Sequence, residues 1–206
     1  MATNSGKKAR RQVREQTPDN PTEYGFRDVK PLNYIQGEYL EAIRNNDVVF
    51  GIGSAGTGKT FVAASYAAGE LFHRRVSKII LTRPNVETGR GLGFLPGELE
   101  EKYAPYLQPF EEIFKRCLGT SFYEYAVKAK NIEAKPLGFM RGSTFDNCIV
   151  LADEMENCTK EEMKMLLSRI GKNCKMIFSG DTEQADIDNS GLDDATRRLE
   201  GIPGIE

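Results

Sequence analysis

Val48-Val49-Phe50-Gly51-Ile52-Gly53-Ser54-Ala55-Gly56-Thr57-Gly58-Lys59-Thr60 is the stretch that decides the fold. Its first five residues are apolar and mostly β-branched, the pattern of a buried strand. Gly53–Thr60 then matches G-x-x-x-x-G-K-[ST] at every position. Small residues let successive backbone N–H groups converge on a phosphate, and the following helix adds the positive end of its dipole. Gly53, Ser54, Ala55, Gly56, Thr57 and Gly58 are the expected cradle. Lys59 is the counter-charge for the β- and γ-phosphates, and Thr60 offers a hydroxyl to Mg²⁺. The reading is a site for ATP with Mg²⁺.

On either side of this stretch, helical and strand patterns alternate. Helical spacing over Leu32–Arg44 places Ile35, Tyr39, Leu40 and Ile43 on one side. A helix is expected from Lys59 to about His73, with its alanines against the strand layer. Short apolar strands are expected at Lys78–Leu81, Cys148–Ala152 and Cys174–Ser179. Helical spacing covers Tyr106–Leu118. Thr159–Ile170 opens with a capping box (Thr159 with Glu162) and has Gly171 just past its end, and Gly191–Leu199 forms a short last helix. Alternation of this kind predicts a mostly parallel sheet with helices on both faces.

Two strand ends carry further chemistry. Ile149–Ala152 runs into Asp153-Glu154, and carboxylates at a strand's C-terminal end lie where open α/β sheets bind ligands. Asp153 is read as holding Mg²⁺ through water, and Glu154 as orienting and deprotonating the attacking water. After Cys174–Ser179 come Gly180-Asp181 and Gln184, a neutral side chain suited to a γ-phosphate. Gln36, upstream of the loop, can read adenine through its amide. Arg83, Arg90 and Arg141 are candidates for phosphate or a nucleic acid strand.

Composition narrows the setting. The chain has 206 residues, 39% of them hydrophobic, and a formal net charge of −2, so whole-chain charge does not point to a polyanionic partner. Four cysteines without a C-x-x-C pair and a single histidine argue against zinc and suit a reducing cytosol. No apolar run approaches the roughly 18 residues that span a bilayer. Residues 1–22 are polar and basic (Lys7, Lys8, Arg10, Arg11, Arg14) and are expected to form a disordered tail that solubilises the chain or touches nucleic acid phosphates. Residues 23–206 are read as one domain.

Together these pieces resemble the PhoH-like ATPases, a branch of P-loop proteins similar to superfamily 1 helicases. Beside the phosphate loop, the resemblance is carried by Gln36, Thr82-Arg83-Pro84, and Gly93-Phe94-Leu95-Pro96-Gly97 with Lys102 and Pro105-Tyr106. Further on it rests on Pro136-Leu137 with Met140-Arg141-Gly142, Asp153-Glu154-Met155-Glu156-Asn157, and Gly180-Asp181 with Gln184. It implies a RecA-like core, ATP hydrolysis, coupling to RNA or single-stranded nucleic acid, and homo-oligomeric rings. It also implies that the Gly180-Asp181 strand lies between the phosphate-loop strand and the Asp153-Glu154 strand, which would bring Gln184 to the γ-phosphate. Two features depart from the family pattern. Glu156 stands where the family usually has Gln, and the family continues past Glu206 with another strand and an arginine-bearing segment. Ile205 reads as the first residue of such a strand, which would lie against Val48–Ile52. That edge is therefore expected to be covered by the N-terminal region or by another copy of the chain, or else the chain is expected to be a piece of a longer protein.

Two other functions fit the same residues: a binding module that uses ATP as a switch with little turnover, and a nucleotide or small-molecule kinase. A kinase has no need of Glu154 as a water activator.

Overall fold

The structure is a computed structural model that describes residues 25–28, 30–84 and 99–206, with the backbone alone from 99 to 107. The expectations placed on residues 1–22, Arg90 and Gly93–Gly97 lie outside the described residues, as do the side chains of Lys102, Pro105 and Tyr106.

Five parallel strands form one sheet: β1 (Val48–Ile52), β2 (Lys78–Thr82), β3 (Ile132–Ala134), β4 (Cys148–Ala152) and β5 (Cys174–Gly180), in the order β1-β5-β4-β2-β3. β5 lies between β1 and β4, as a RecA-like core requires, with Ile52 opposite Gly180 and Ala152 opposite Phe178. The helices are α1 (Tyr34–Asn45), α2 (Lys59–Phe72), α3 (Leu99–Leu118), α4 (Thr120–Lys128), α5 (Lys160–Leu167) and α6 (Gly191–Leu199).

The strands are apolar on both faces because both are covered. On one face Val49, Ile79, Leu81, Ile149, Leu151 and Ile177 pack with α1 to α4, and Ala63, Ala64, Ala67 and Ala68 let α2 lie close to the sheet. On the other, Val48, Ile80, Val150, Met176 and Phe178 pack with Met163 and Leu166 of α5 and Leu192 and Ala195 of α6. All four cysteines are free and buried. No described helix is long and apolar enough to cross a membrane.

Beyond the unforeseen α4 and the earlier start of α3, four departures from the sequence reading bear on the sheet and its surroundings. Ile35 does not join the buried side of α1; it is exposed, and the polar Gln36 is buried instead. β3 has only three residues, too short for a periodic signal. It forms because Ile132 is fully buried and Glu133 is gripped by Lys78 at 2.9 Å and Lys135 at 3.0 Å. The capping box of Thr159 and Glu162 is present, but α5 ends at Leu167 rather than Ile170. Gly171 serves a different purpose from a helix cap, because a Cβ there would lie 2.7 Å from the Phe145 carbonyl oxygen.

The fourth departure concerns the β1 edge, which the chain's own last residues begin to cover. The amides of Val48 and Phe50 donate to the carbonyls of Gly204 and Glu206, and the Glu206 amide donates to the Val48 carbonyl. Ile205 sits in a parallel bridge with Val48, so it does take up a strand position there. The covering segment is C-terminal, not N-terminal.

Candidate functional site

The site is built where β1, β4 and β5 end. β1 delivers the chain into the loop, and the loop opens α2 at Lys59. Gly56 at φ 77° and Gly58 at φ 87° have left-handed backbone, which glycine adopts without steric cost. Gly58 also leaves room for a neighbour: a Cβ there would come within 2.6 Å of Gln36 Nε2. Gln36 spans two segments, its Oε1 accepting from the Leu32 amide at 2.9 Å and its Nε2 donating to the Thr57 carbonyl at 3.0 Å. α1 thereby grips the phosphate loop from the side. Lys59 Nζ donates to the carbonyls of Gly53 and of Ser54, the latter at 2.9 Å, and lies 3.4 Å from Thr57 Oγ1. A cleft of about 590 Å³, a size suited to small ligands, opens beside the loop, with Gln36, Tyr39, Ile52, Gly53, Thr57 and Lys59 among its walls.

Thr60, in the first turn of α2, meets β4. Its hydroxyl donates to Asp153 Oδ1 at 3.4 Å, and the Asp153 amide donates to the Thr82 carbonyl at 2.9 Å. Burial, and next the charge of Glu154, push the Asp153 carboxyl above its ordinary value, while Arg83 and the Thr60 hydroxyl pull it down. Glu154 is exposed, ion-paired with Arg83, and held left-handed at φ 53°, ψ 37°. For a non-glycine residue that conformation costs on the order of 1–3 kcal/mol and persists only where the surroundings enforce it.

Gln184 belongs to a 3₁₀ turn, Thr182–Gln184, directly after β5. Its Nε2 donates to Asp181 Oδ2 at 2.6 Å. Gly180 ties this region to the loop, its carbonyl accepting from the Gly53 amide at 3.2 Å. Arg141 is exposed and follows the 3₁₀ turn Leu137–Met140.

Lys59, Thr60, Asp153 and Glu154 thus share one strand-end surface; Gln36 touches the loop at the Thr57 carbonyl, and Gln184 bonds Asp181 just after β5. Sequence reasoning noted Glu156 and Asp181 but not their contact; both are 8% exposed. Glu156 turns inward, where its Oε2 accepts from the Asp181 amide at 3.1 Å. A signal was available: Gly180, between a strand and an acid, marks a point of close backbone approach.

A hard cation with oxygen ligands suits the Thr60 hydroxyl and Asp153 carboxylate. Among the described residues no cluster of three His, Cys, Asp or Glu could hold a metal ion. A hydroxyl and a carboxylate are ligands of the kind Mg²⁺ takes, since it keeps several waters and uses few protein ligands.

A glycine loop opening a helix, an acid pair ending β4 and a strand between the two define a P-loop NTPase core of RecA-like fold. Within that class the chain belongs to the PhoH-like protein family, whose model matches residues 28–206. It is 42% identical over 182 residues to Protein PhoH of Escherichia coli (strain K12), covering 84% of this chain and 51% of that protein. It is 47% identical over 173 residues to a PhoH-like protein of Bacillus subtilis (strain 168), covering 82% and 54%. A PhoH-like protein of Synechocystis is 39% identical over 207 residues, covering 99% and 63%. The chain therefore spans about half to three-fifths of the length of these relatives. Among solved structures it is similar to a Sulfolobus solfataricus SWI2/SNF2 ATPase core in complex with dsDNA, with a TM-score of 0.46 and 11% identity over 75% of this chain and 34% of that one.

Proposed function

We propose that this chain binds ATP with Mg²⁺ and hydrolyses it, and that turnover is coupled to RNA or single-stranded nucleic acid. The observation that carries the reading is the 3.4 Å contact of Thr60 Oγ1 with Asp153 Oδ1. It brings the hydroxyl of the phosphate loop and the acid of β4 to one point, as a shared cation requires.

The roles follow from the chemistry of each group. Loop amides and the α2 dipole receive the phosphate oxygens. Lys59 exchanges its loop carbonyls for the β- and γ-phosphates. Thr60 and Asp153 hold Mg²⁺, which when bound neutralises charge developing on the transferred phosphoryl group. Glu154 takes the proton from the attacking water. Gln184 offers its amide to the γ-phosphate. Gln36 steadies the loop and retains a second N–H for adenine.

The nucleic acid part rests on the family resemblance and on the basic residues at positions 7–14, with Arg83 and Arg141 as further contacts. Assembly into rings in a reducing cytosol belongs to the same reading. The Arg83–Glu154 ion pair favours one rival, a slow ATP-driven switch, because it engages the proposed base.

One experiment separates these functions: ATP turnover with and without RNA or single-stranded DNA, beside calorimetric ATP affinity. Stimulated turnover is expected, with nucleic acid affinity falling steeply with salt and on removal of residues 1–14. Tight binding with negligible turnover under all conditions means a switch. Phosphate transfer to an added hydroxyl compound means a kinase.

A further inference from the structure

We propose that Glu156 and Asn157 are positioning residues that latch the turn carrying Gln184 to the turn carrying Asp153 and Glu154, so that base and γ-phosphate contact move as one piece. The inference rests on the roles proposed above for Glu154 and Gln184.

The 3₁₀ turn Met155–Asn157 directly follows Glu154. It grips the loop after β5 twice. Glu156 Oε2 accepts from the Asp181 amide at 3.1 Å, and Asn157 Oδ1 accepts from the Asp186 amide at 2.8 Å. These two amides bracket the turn Thr182–Gln184. Between them Asp181 spends both carboxylate oxygens inside the loop, Oδ1 on the Glu183 amide at 3.1 Å and Oδ2 on Gln184 Nε2 at 2.6 Å. One contact path therefore runs from Glu154 through Glu156 and Asp181 to Gln184.

The fit leaves little slack. A Cβ on Gly180 would lie 2.6 Å from Glu156 Oε2 and 3.1 Å from the Glu156 amide nitrogen. A carboxylate this buried is costly unless its oxygens are used, and a charged acceptor holds an amide more strongly than a neutral one. Glutamine, the residue the family resemblance leads one to expect at this position, also offers an acceptor oxygen. The property the latch needs is the acceptor, and the charge strengthens it.

The decisive measurement is a double-mutant cycle of Glu156→Ala and Gln184→Ala, read as steady-state ATP turnover. A small displacement of a reacting group costs up to about 10²-fold in rate. Glu156→Ala is therefore expected to lower kcat by about 10–100-fold while leaving KM and nucleotide Kd near the parental values. Glu156→Gln should recover most of the loss. On the Gln184→Ala background, Glu156→Ala should add little. Losses that multiply, or a loss matched in Kd, overturn the latch. If Glu156→Ala does not fold, Asn157→Ala removes the second tether and enters the same cycle. Hydrogen exchange at the Asp181 and Asp186 amides, read without nucleotide, separates the latch from the proposed function. Faster exchange in Glu156→Ala supports the tether and unchanged exchange refutes it, whereas parental turnover in Gln184→Ala refutes the role of Gln184 and the coupling with it.

Discussion

The hydroxyl of Thr60 and the carboxylate of Asp153 lie 3.4 Å apart although 93 residues separate them in the chain. One follows β1 and the other ends β4, with β5 lying between these strands in the sheet. The contact exists because a parallel sheet brings the C-terminal ends of its strands to one side.

Lys59 and Glu154 should separate binding from chemistry. Lys59→Ala is expected to weaken ATP binding by about 10-fold or more, since hydrogen bonds to a charged partner are worth roughly 1.5–3 kcal/mol. Glu154→Gln should bind ATP normally and turn it over about 10²–10⁴-fold more slowly, the range for loss of a general base. Calorimetry and single-turnover kinetics read the two effects. Parallel loss of affinity and rate in Glu154→Gln would make Glu154 structural.

Asp153 should cost stability at neutral pH. Burial and the Glu154 charge hold its carboxyl above the ordinary value of 3.8. A carboxyl whose folded pKa is raised favours the fold in its protonated form. That contribution is fully present below pH 3.8 and is lost as pH rises through the folded value. At pH 7 the ionised group therefore opposes folding. Asp153→Asn, which keeps an oxygen for Thr60, is expected to melt above the parent at pH 7 in EDTA. The gap should close on acidification, and Mg²⁺-dependent ATP binding should be lost. A variant melting below the parent at pH 7 would contradict the sign.

Gln36→Ala should loosen the loop. Its amide links the Leu32 amide to the Thr57 carbonyl, and each net hydrogen bond contributes about 1 kcal/mol. Affinity for both ATP and GTP is expected to fall by about 3–10-fold, with an additional loss confined to ATP from adenine contact. Competition binding with the two nucleotides measures this; equal losses would leave Gln36 as a tether alone.

Gly51→Ala should destabilise the edge of the sheet. A Cβ at Gly51 would lie 2.6 Å from Tyr39 Oη and 2.7 Å from its Cζ. Overpacking of this kind costs about 1–3 kcal/mol, and each kcal/mol lowers Tm by about 2–4 °C in a domain of this size. Tyr39→Ala should relieve the clash, so the double variant is expected to lose less than the sum of the two single changes. Additive melting temperatures would show that the ring moves aside freely.

The phosphate loop, four of the five strands, the capping box of α5 and the acids after β4 were all legible in the sequence. Each is a local feature: Val48–Ile52 announces its burial by composition, Gly53–Thr60 its backbone by spacing, and Thr159–Glu162 its cap by a three-residue interval. What only the tertiary structure decided depends on partners distant in the chain. Glu156 reads as a departure from the family's Gln beside the acids after β4, and its buried bond to the Asp181 amide shows only in the fold. Gln36 reads as a residue for adenine, and its tether to the Thr57 carbonyl, 21 residues away, shows only in the fold. β3 is set by its parallel pairing with β2 and the burial of Ile132, with Lys78 and Lys135 paired to Glu133, rather than by any pattern of its own. Local propensity and spacing reach only a few residues along the chain, whereas the partner of a buried polar group is chosen by the order in which the sheet assembles its strands.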